Sequence, residues 1–89
     1  MHQKLTRADL ISVLDQSGVR GLASHPDRIG FENGECDIPF SDLGIDSLAL
    51  MESGIGIEER FDVSLSPNSL AKYATLETLW FDLSRGPAA

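Results

Sequence analysis

The stretch LGIDSLALMESGIGIEER, residues 43–60, decides how this chain is read. On a helical wheel with Leu48 at zero and about 100° per residue, Leu50, Gly54, Ile57 and Phe61 fall within about 60° of one another. That is the stripe of a helix that lays one face on a core. Leu48, Met51 and Ile55 fall on the opposite side, among Glu52 and Glu59. A small helix needs only one buried face, so the second apolar strip asks for an occupant of its own. Asp46 suits an N-cap, its carboxylate accepting a first-turn backbone N–H, in a helix that ends near Phe61. Ser47 then stands at the first helical position with its hydroxyl outside the backbone ladder. A phosphate there would meet the positive end of the helix dipole and free N–H groups. The site suits a serine that is phosphorylated or linked through a phosphodiester.

Outward from this helix, the pattern is helical throughout. Thr6-Arg7-Ala8-Asp9 reads as a capping box with Asp in place of the usual Glu. Leu10, Ile11, Val13 and Leu14 follow as an apolar stripe that Gly18 ends. Residues 19–41 hold Gly21, Pro26, Gly30, Asn33-Gly34 and Pro39 without a sustained period, the signature of a long loop. Ile29, Phe31, Ile38 and Phe40 are expected to tie that loop down by packing. Ser66-Pro67 reads as the cap and first position of a short helix reaching Tyr73. Thr75 caps a last helix striped by Leu76, Leu79, Trp80 and Leu83, and Gly86-Pro87 stops it. The expected fold is all-α: a small four-helix bundle, three helices long and one short, with a long loop between helices 1 and 2. At 89 residues the chain is expected to form one domain, 1–89, folded over about 5–85 with a frayed tail at 86–89.

Charge narrows the function. Residues 31–62 carry nine acids (Glu32, Glu35, Asp37, Asp42, Asp46, Glu52, Glu58, Glu59 and Asp62) against Arg60 alone, a net −8, while residues 1–30 sum to +1 and 63–89 to zero. Nucleic acid would be repelled, and a basic protein surface attracted. No apolar run approaches the roughly 18 residues of a membrane span, and the N-terminus has no signal-peptide segment. Cys36 is alone, which fits a reducing cytoplasm. His2 and His25 stand in no metal-ligand spacing, so no metal site is expected. Ser47 lacks the flanking glycines of a nucleophile elbow. Gly54-Ile55-Gly56 lacks the third glycine of a dinucleotide fingerprint. Residues 27–38 would put Ile29, Phe31 and Ile38 where a calcium loop needs oxygen ligands. A self-contained enzyme is not expected.

The segment DLGIDSLALMESGIGIEERFDVSL resembles the prosthetic-group segment of acyl carrier proteins, D-L-G-x-D-S-L followed by an amphipathic helix ending E-E-x-F. Asp42, Leu43, Gly44, Asp46, Ser47 and Leu48 match, and Glu58, Glu59 and Phe61 follow in register. The helix order of the whole chain is similar to the family's. The resemblance implies that a phosphopantetheinyl transferase attaches 4′-phosphopantetheine from coenzyme A to Ser47. The arm's thiol would carry acyl groups as thioesters between separate enzymes, such as a ketosynthase or acyltransferase, and the carrier itself would be a non-catalytic monomer. Leu48, Met51 and Ile55, rimmed by Glu52, Glu58 and Glu59, would be the patch that basic partner surfaces read. The alternative for Met51 and Ile55 is burial beneath the 19–41 loop.

Asp-Ser-Leu-Ala-Leu-Met-Glu looks most like discrete carriers of bacterial polyketide assembly, with fatty-acid and aminoacyl or peptidyl carriers as alternatives. Ala49 and Ser53 stand where a fatty-acid carrier is expected to have Asp and an aliphatic residue. Gly54 either widens an interior acyl cleft with Leu50, Ile57 and Leu76, or allows close packing with Leu76 or Leu79. Phe81 lies off the last helix's stripe, to pack under the loop or meet a partner. From another class, the same residues describe an acidic helical interaction module with Ser47 unmodified.

Overall fold

The computed structural model describes residues 5–63, 65 and 70–84. Helix α1, Arg7–Gln16, opens with the expected box: Thr6 Oγ1 accepts from the Asp9 N–H at 3.3 Å, and Asp9 Oδ2 accepts from the Thr6 N–H at 2.6 Å. Leu10, Ile11, Val13 and Leu14 are all buried. Gly18, at φ +95°, turns the chain out of the helix in a conformation costly for any side chain.

Residues 19–41 are not a structureless loop. They hold a 3-10 turn at Arg20–Leu22, a short helix α2 at Arg28–Glu32 and a second 3-10 turn at Phe40–Asp42. Each is too short to show a period, and each of the first two is anchored by a single buried residue, Leu22 or Phe31. Phe31 and Ile38 are buried and Phe40 half-buried, as expected of anchors, but Ile29 is 70% exposed. The reason is helical geometry: two residues before Phe31, Ile29 points about 200° away from the inward face.

Helix α3, Ser47–Phe61, is packed on α1 through small residues. A Cβ at Gly56 would stand 2.9 Å from Val13 Cγ1 and 3.3 Å from Ser17 Oγ. One at Gly18 would stand 3.9 Å from the Ala49 Cβ. Ala49 and Ser53 are buried along with Gly54 and Ile57, whereas Leu50 and Phe61, expected in the core stripe, are half-buried at its border. The inward face of α3 is thus rotated toward Ala49, Ser53 and Gly56, residues too small to register as a hydrophobic stripe.

Leu70 and Ala71 are helical and Leu70 is buried; the expected cap at Ser66-Pro67 lies outside the described residues, as does Gly86-Pro87. Helix α4, Leu76–Ser84, buries Leu76, Leu79 and Leu83, and Trp80 meets Phe61 edge-on at 6.3 Å between ring centroids. Its N-terminus is closed by the segment before the Phe40 turn. Leu76 N–H donates to Ile38 O at 2.9 Å and Glu77 N–H to Asp37 Oδ1 at 2.9 Å, while Thr78 N–H reaches Thr75 Oγ1 at 3.3 Å. Thr75 therefore shares the capping with Asp37, and three otherwise orphaned donors are satisfied. Among the described residues there is no strand, only an isolated bridge between Pro39 and Thr75.

Arg7 ties the far ends together. Its guanidinium makes paired bonds to Glu77 at 2.6 and 2.7 Å, donates to Phe31 O at 3.3 Å, and lies over the Phe31 and Trp80 rings at 4.9 and 5.7 Å. The bidentate bond from Arg7 holds the Glu77 carboxyl below its ordinary value of about 4.5. Such a carboxylate stabilises the fold above its unfolded pKa and loses that contribution as pH falls through the lower folded value. Glu77→Gln should lower Tm at pH 7 by a few degrees, about 1 kcal/mol for a partly exposed pair. The difference from the parent should shrink in thermal melts as pH is lowered below the ordinary carboxylate range; an undiminished gap there contradicts the assignment.

The two glycines of α3 separate in the same way. Ala adds about 1 kcal/mol of helix propensity over Gly. At Gly54 no described heavy atom lies within 4 Å of the added Cβ, so Gly54→Ala should raise Tm by several degrees. At Gly56 the stiff Val13 side chain opposes the gain, so Gly56→Ala should give no increase or a loss. Equal increases in both would show that α1 does not press on α3 at Gly56.

Candidate functional site

The turn leading into α3 is fastened from three directions. Leu43 is buried, and the Asp42 and Leu43 N–H groups donate to Pro39 O and Phe40 O at 3.0 Å each. Gly21 lies against the Leu43 backbone, where a Cβ would come within 2.9 Å of the Leu43 carbonyl oxygen. His25, its side chain 9% exposed, places Nε2 3.1 Å from Asp42 Oδ2. Its Nδ1 accepts from the Asp27 N–H at 3.0 Å, so in the neutral ring the proton sits on Nε2 and is donated to Asp42. In the sequence His25 stands in no metal-ligand spacing and at no spacing that nominates it as a base for Ser47. Its role in clasping Asp42 spans 17 positions and carries no local signal.

Gly44, at φ +59°, allows the chain to turn upward into the helix. Asp46 is extended (φ −89°, ψ 177°), and its Oδ1 accepts from the Ala49 N–H at 2.7 Å, the expected N-cap. Ser47 is exposed at the first helical position, and its hydroxyl has no hydrogen-bond partner among the described residues. The local chemistry fits a phosphodiester: an accessible oxygen nucleophile beside the positive end of a long helix.

Below Ser47 the outer strip of α3 is open. Leu48, Met51 and Ile55 are 62%, 45% and 47% exposed, so the 19–41 segment does not cover Met51 and Ile55. Glu52 and Glu59 are exposed beside them and carry no ion pair among the described residues. Glu58 is turned away from the strip. It is half-buried, and its Oε2 accepts from the Leu65 N–H at 2.8 Å to close the turn after α3. The rim is therefore Glu52 and Glu59, with Glu58 on the flank.

Two grooves border the helix. One, of about 380 Å³, lies beside the Ser47 end and is lined by Phe40, Gly44, Ile45, Leu50, Leu70 and Tyr73. Of the acyl-cleft residues named from sequence, only Leu50 lines it; Ile57 and Leu76 are fully buried in the core, and Gly54 is buried with space around its missing Cβ. The other, of about 390 Å³, runs between α1 and α3. Among the described residues no group of His, Cys, Asp and Glu side chains could hold a metal, and no helix is long and apolar enough to cross a membrane. Phe81 is 57% exposed on α4.

A family model described as a phosphopantetheine attachment site matches residues 27–79, more than half of the chain and the whole of the Asp42–Asp46 turn and of α3. No curated protein and no solved structure matches the chain. The chain belongs to the phosphopantetheine-binding carrier family, whose domains hold 4′-phosphopantetheine covalently, act as carriers rather than catalysts as a rule, and meet a phosphopantetheinyl transferase and acyl-processing enzymes.

The cap provides a direct check on this geometry. Asp46→Ala should cost about 1 kcal/mol, or roughly 4–8 °C in Tm, while Asp46→Asn keeps an acceptor and most of the stability. Equal losses in both variants would mean that the carboxylate acts through its charge rather than as the cap of α3.

Proposed function

We propose that this protein is a discrete acyl carrier protein of polyketide assembly, with Ser47 as the attachment point of the arm. The observation that carries the reading is the exposed Ser47 hydroxyl, without a hydrogen-bond partner among the described residues, at the capped start of a helix that leaves Leu48, Met51 and Ile55 open to solvent. In a reaction run by a separate transferase, the Ser47 oxygen attacks the pantetheine-side phosphorus of coenzyme A's pyrophosphate; the P–O bond to the nucleotide breaks, 3′,5′-ADP leaves, and the serine proton passes to a base of the transferase. Once bound, the arm supplies a terminal thiol that holds cargo as a thioester. The chain's own residues present it: Asp46 holds the helix start, and His25 and Leu43 fix the turn. The protein itself catalyses nothing and works as a cytoplasmic monomer.

The partners are enzymes with basic docking surfaces: the transferase, then a ketosynthase, acyltransferase or similar acyl-processing enzyme. Leu48, Met51 and Ile55 form the apolar centre of the docking patch, with Glu52 and Glu59 at its rim. A small mixed patch suits contacts made and released at every step. Leu50 borders the groove beside Ser47, and Gly54, Ile57 and Leu76 lie behind it as the interior an acyl chain would enter. The polyketide assignment rests on the Ser47–Glu52 segment. Ala49, where a fatty-acid carrier is expected to have Asp, is 6% exposed and packed toward Gly18, a place that would desolvate a carboxylate.

Two measurements test this. The pantetheinylated protein should accept a malonyl group from a malonyl transferase and pass it to a type II polyketide ketosynthase. Charging by an amino-acid-activating enzyme in its place would move the protein to the aminoacyl carriers. Ile55→Glu should raise the transferase KM for the carrier by about tenfold with Tm nearly unchanged, because one exposed anchor of a small patch is lost. An unchanged KM would remove the outer strip of α3 from the docking surface.

A further inference from the structure

The start of α3 is an anionic place before any arm is attached. Asp42 and Asp46 flank it, and both are committed, Asp42 to His25 and Asp46 to the Ala49 N–H. A phosphodiester on Ser47 adds a further negative charge beside these carboxylates, which is unfavourable unless a cation stands near. Helices α1 and α3 run antiparallel, and their contacts show what lies opposite Ser47. Arg60 meets Asp9 at 2.8 Å, a Cβ at Gly56 would stand 2.9 Å from Val13 Cγ1, and one at Gly18 would stand 3.9 Å from the Ala49 Cβ. Beyond α1 the chain continues in the same sense, since a Cβ at Gly21 would come within 2.9 Å of the Leu43 carbonyl oxygen. With Gly18 opposite Ala49 and Gly21 opposite Leu43, residues 19 and 20 run past the 44–48 stretch that carries Ser47. Val19 is buried, and Arg20, the next residue, is exposed, as Ser47 is. The other described arginines are engaged: Arg7 by Glu77, Arg28 by Asp15 and Glu32, and Arg60 by Asp9. Arg20 has no ion pair among the described residues.

We propose that Arg20 is the chain's own partner for the phosphodiester: with the arm on Ser47, its guanidinium bonds the phosphate oxygens and steadies the base of the arm. The proposal rests on the carrier reading above and adds to the site a residue of the segment after α1. Arginine suits this task. Its planar fork presents paired N–H donors to two oxygens of one phosphate, and such charge-assisted bonds are stronger than neutral ones. Its long aliphatic stem lets the charged head reach out from the turn in which Arg20 is rooted. In the unloaded protein the guanidinium holds no described anion, so the bond is one that loading creates. Lys72 is a second exposed cation without an ion pair among the described residues, and it stands between Ala71 and Tyr73, which line the groove beside Ser47. It offers a point charge rather than a fork, and it is the rival in the test.

The test compares the full chain unloaded and fully pantetheinylated, with loading verified by intact mass. In nitrogen–proton NMR spectra the Arg20 Nε–H peak should move on loading, and the phosphorus resonance of the loaded parent should differ from that of loaded Arg20→Gln. Thermal melts at low salt read the coupling. The change in Tm on loading should be less favourable in Arg20→Gln than in the parent by about 2 °C, the scale of an exposed ion pair. Added salt should shrink this difference, and Arg20→Lys should keep part of it. Arg60→Gln, about 20 Å down α3 from Ser47, should shift loaded and unloaded protein alike. Full loading with an unmoved Arg20 peak and no difference in coupling would overturn the proposal while leaving the carrier reading intact. A coupling lost in Lys72→Gln and kept in Arg20→Gln would overturn it in favour of Lys72. A folded parent that gains no mass while a known carrier loads would overturn the carrier reading and this proposal with it.

Discussion

The close approach of α1 to α3 is the constraint on which the rest of this structure depends. Val13 and Ser17 meet α3 where Gly56 offers only backbone, and Ala49 and Ser53 continue the same line. Close contact at this seam fixes the rotation of α3 about its own axis. With that rotation set, Leu48, Met51 and Ile55 must point outward, and Ser47 must open toward solvent at the top of the helix. The two glycines of α3, each costly to helix formation, therefore do different work. Gly56 lets the helices touch, and Gly54 leaves room on the other side of the inward stripe.

A second layer of contacts holds the start of α3 in place. The 20–43 segment wraps over the end of the bundle, and its short turns are joined to their surroundings by specific polar bonds. His25 holds Asp42, Asp37 caps α4 through Glu77, and Arg7 links α1, α2 and α4 through Glu77 and Phe31. These bonds reach across the sequence, so the turn carrying Asp42 to Asp46 is fastened by residues far from it. In the role proposed for it, Ser47 is handed to a transferase and then presents a long arm, and a rigid base beneath an exposed hydroxyl serves both steps. One hydroxyl inside the bundle stands apart: the buried Ser53 Oγ has no hydrogen-bond partner among the described residues, and nothing in the structure accounts for it.

Much of the site was legible because its signals are local. The Thr6–Asp9 box, the Asp46 cap, the exposed Ser47 and the two-sided pattern of α3 each involve residues only a few positions apart, at spacings set by helical geometry. The stripe of α4 was legible for the same reason. The α1–α3 seam was not, because alanine, serine and glycine carry almost no hydropathic signal, and their importance lies in what they leave out. This is also why Leu50 and Phe61 read as core but are found at its edge. The 19–41 segment reads as loop because elements of three to five residues show no period, and Ile29 reads as an anchor because nothing in so short an element orients an apolar residue toward or away from the core. His25, Asp37 and Arg7 act at sequence separations of 17, 40 and 70, where pattern gives no guide. Glu58 matched the family motif, yet in the fold it closes the turn at Leu65.

The central claim is that Ser47 bears the arm. Its most direct measurement is the intact mass of the parent and of Ser47→Ala after incubation with coenzyme A, magnesium and a broad-specificity phosphopantetheinyl transferase, with a known carrier loaded in parallel. The account predicts a gain of one phosphopantetheine in the parent and none in the variant. A gain in both proteins would place the arm on another residue. A folded parent that gains nothing while the known carrier loads would contradict the carrier function altogether.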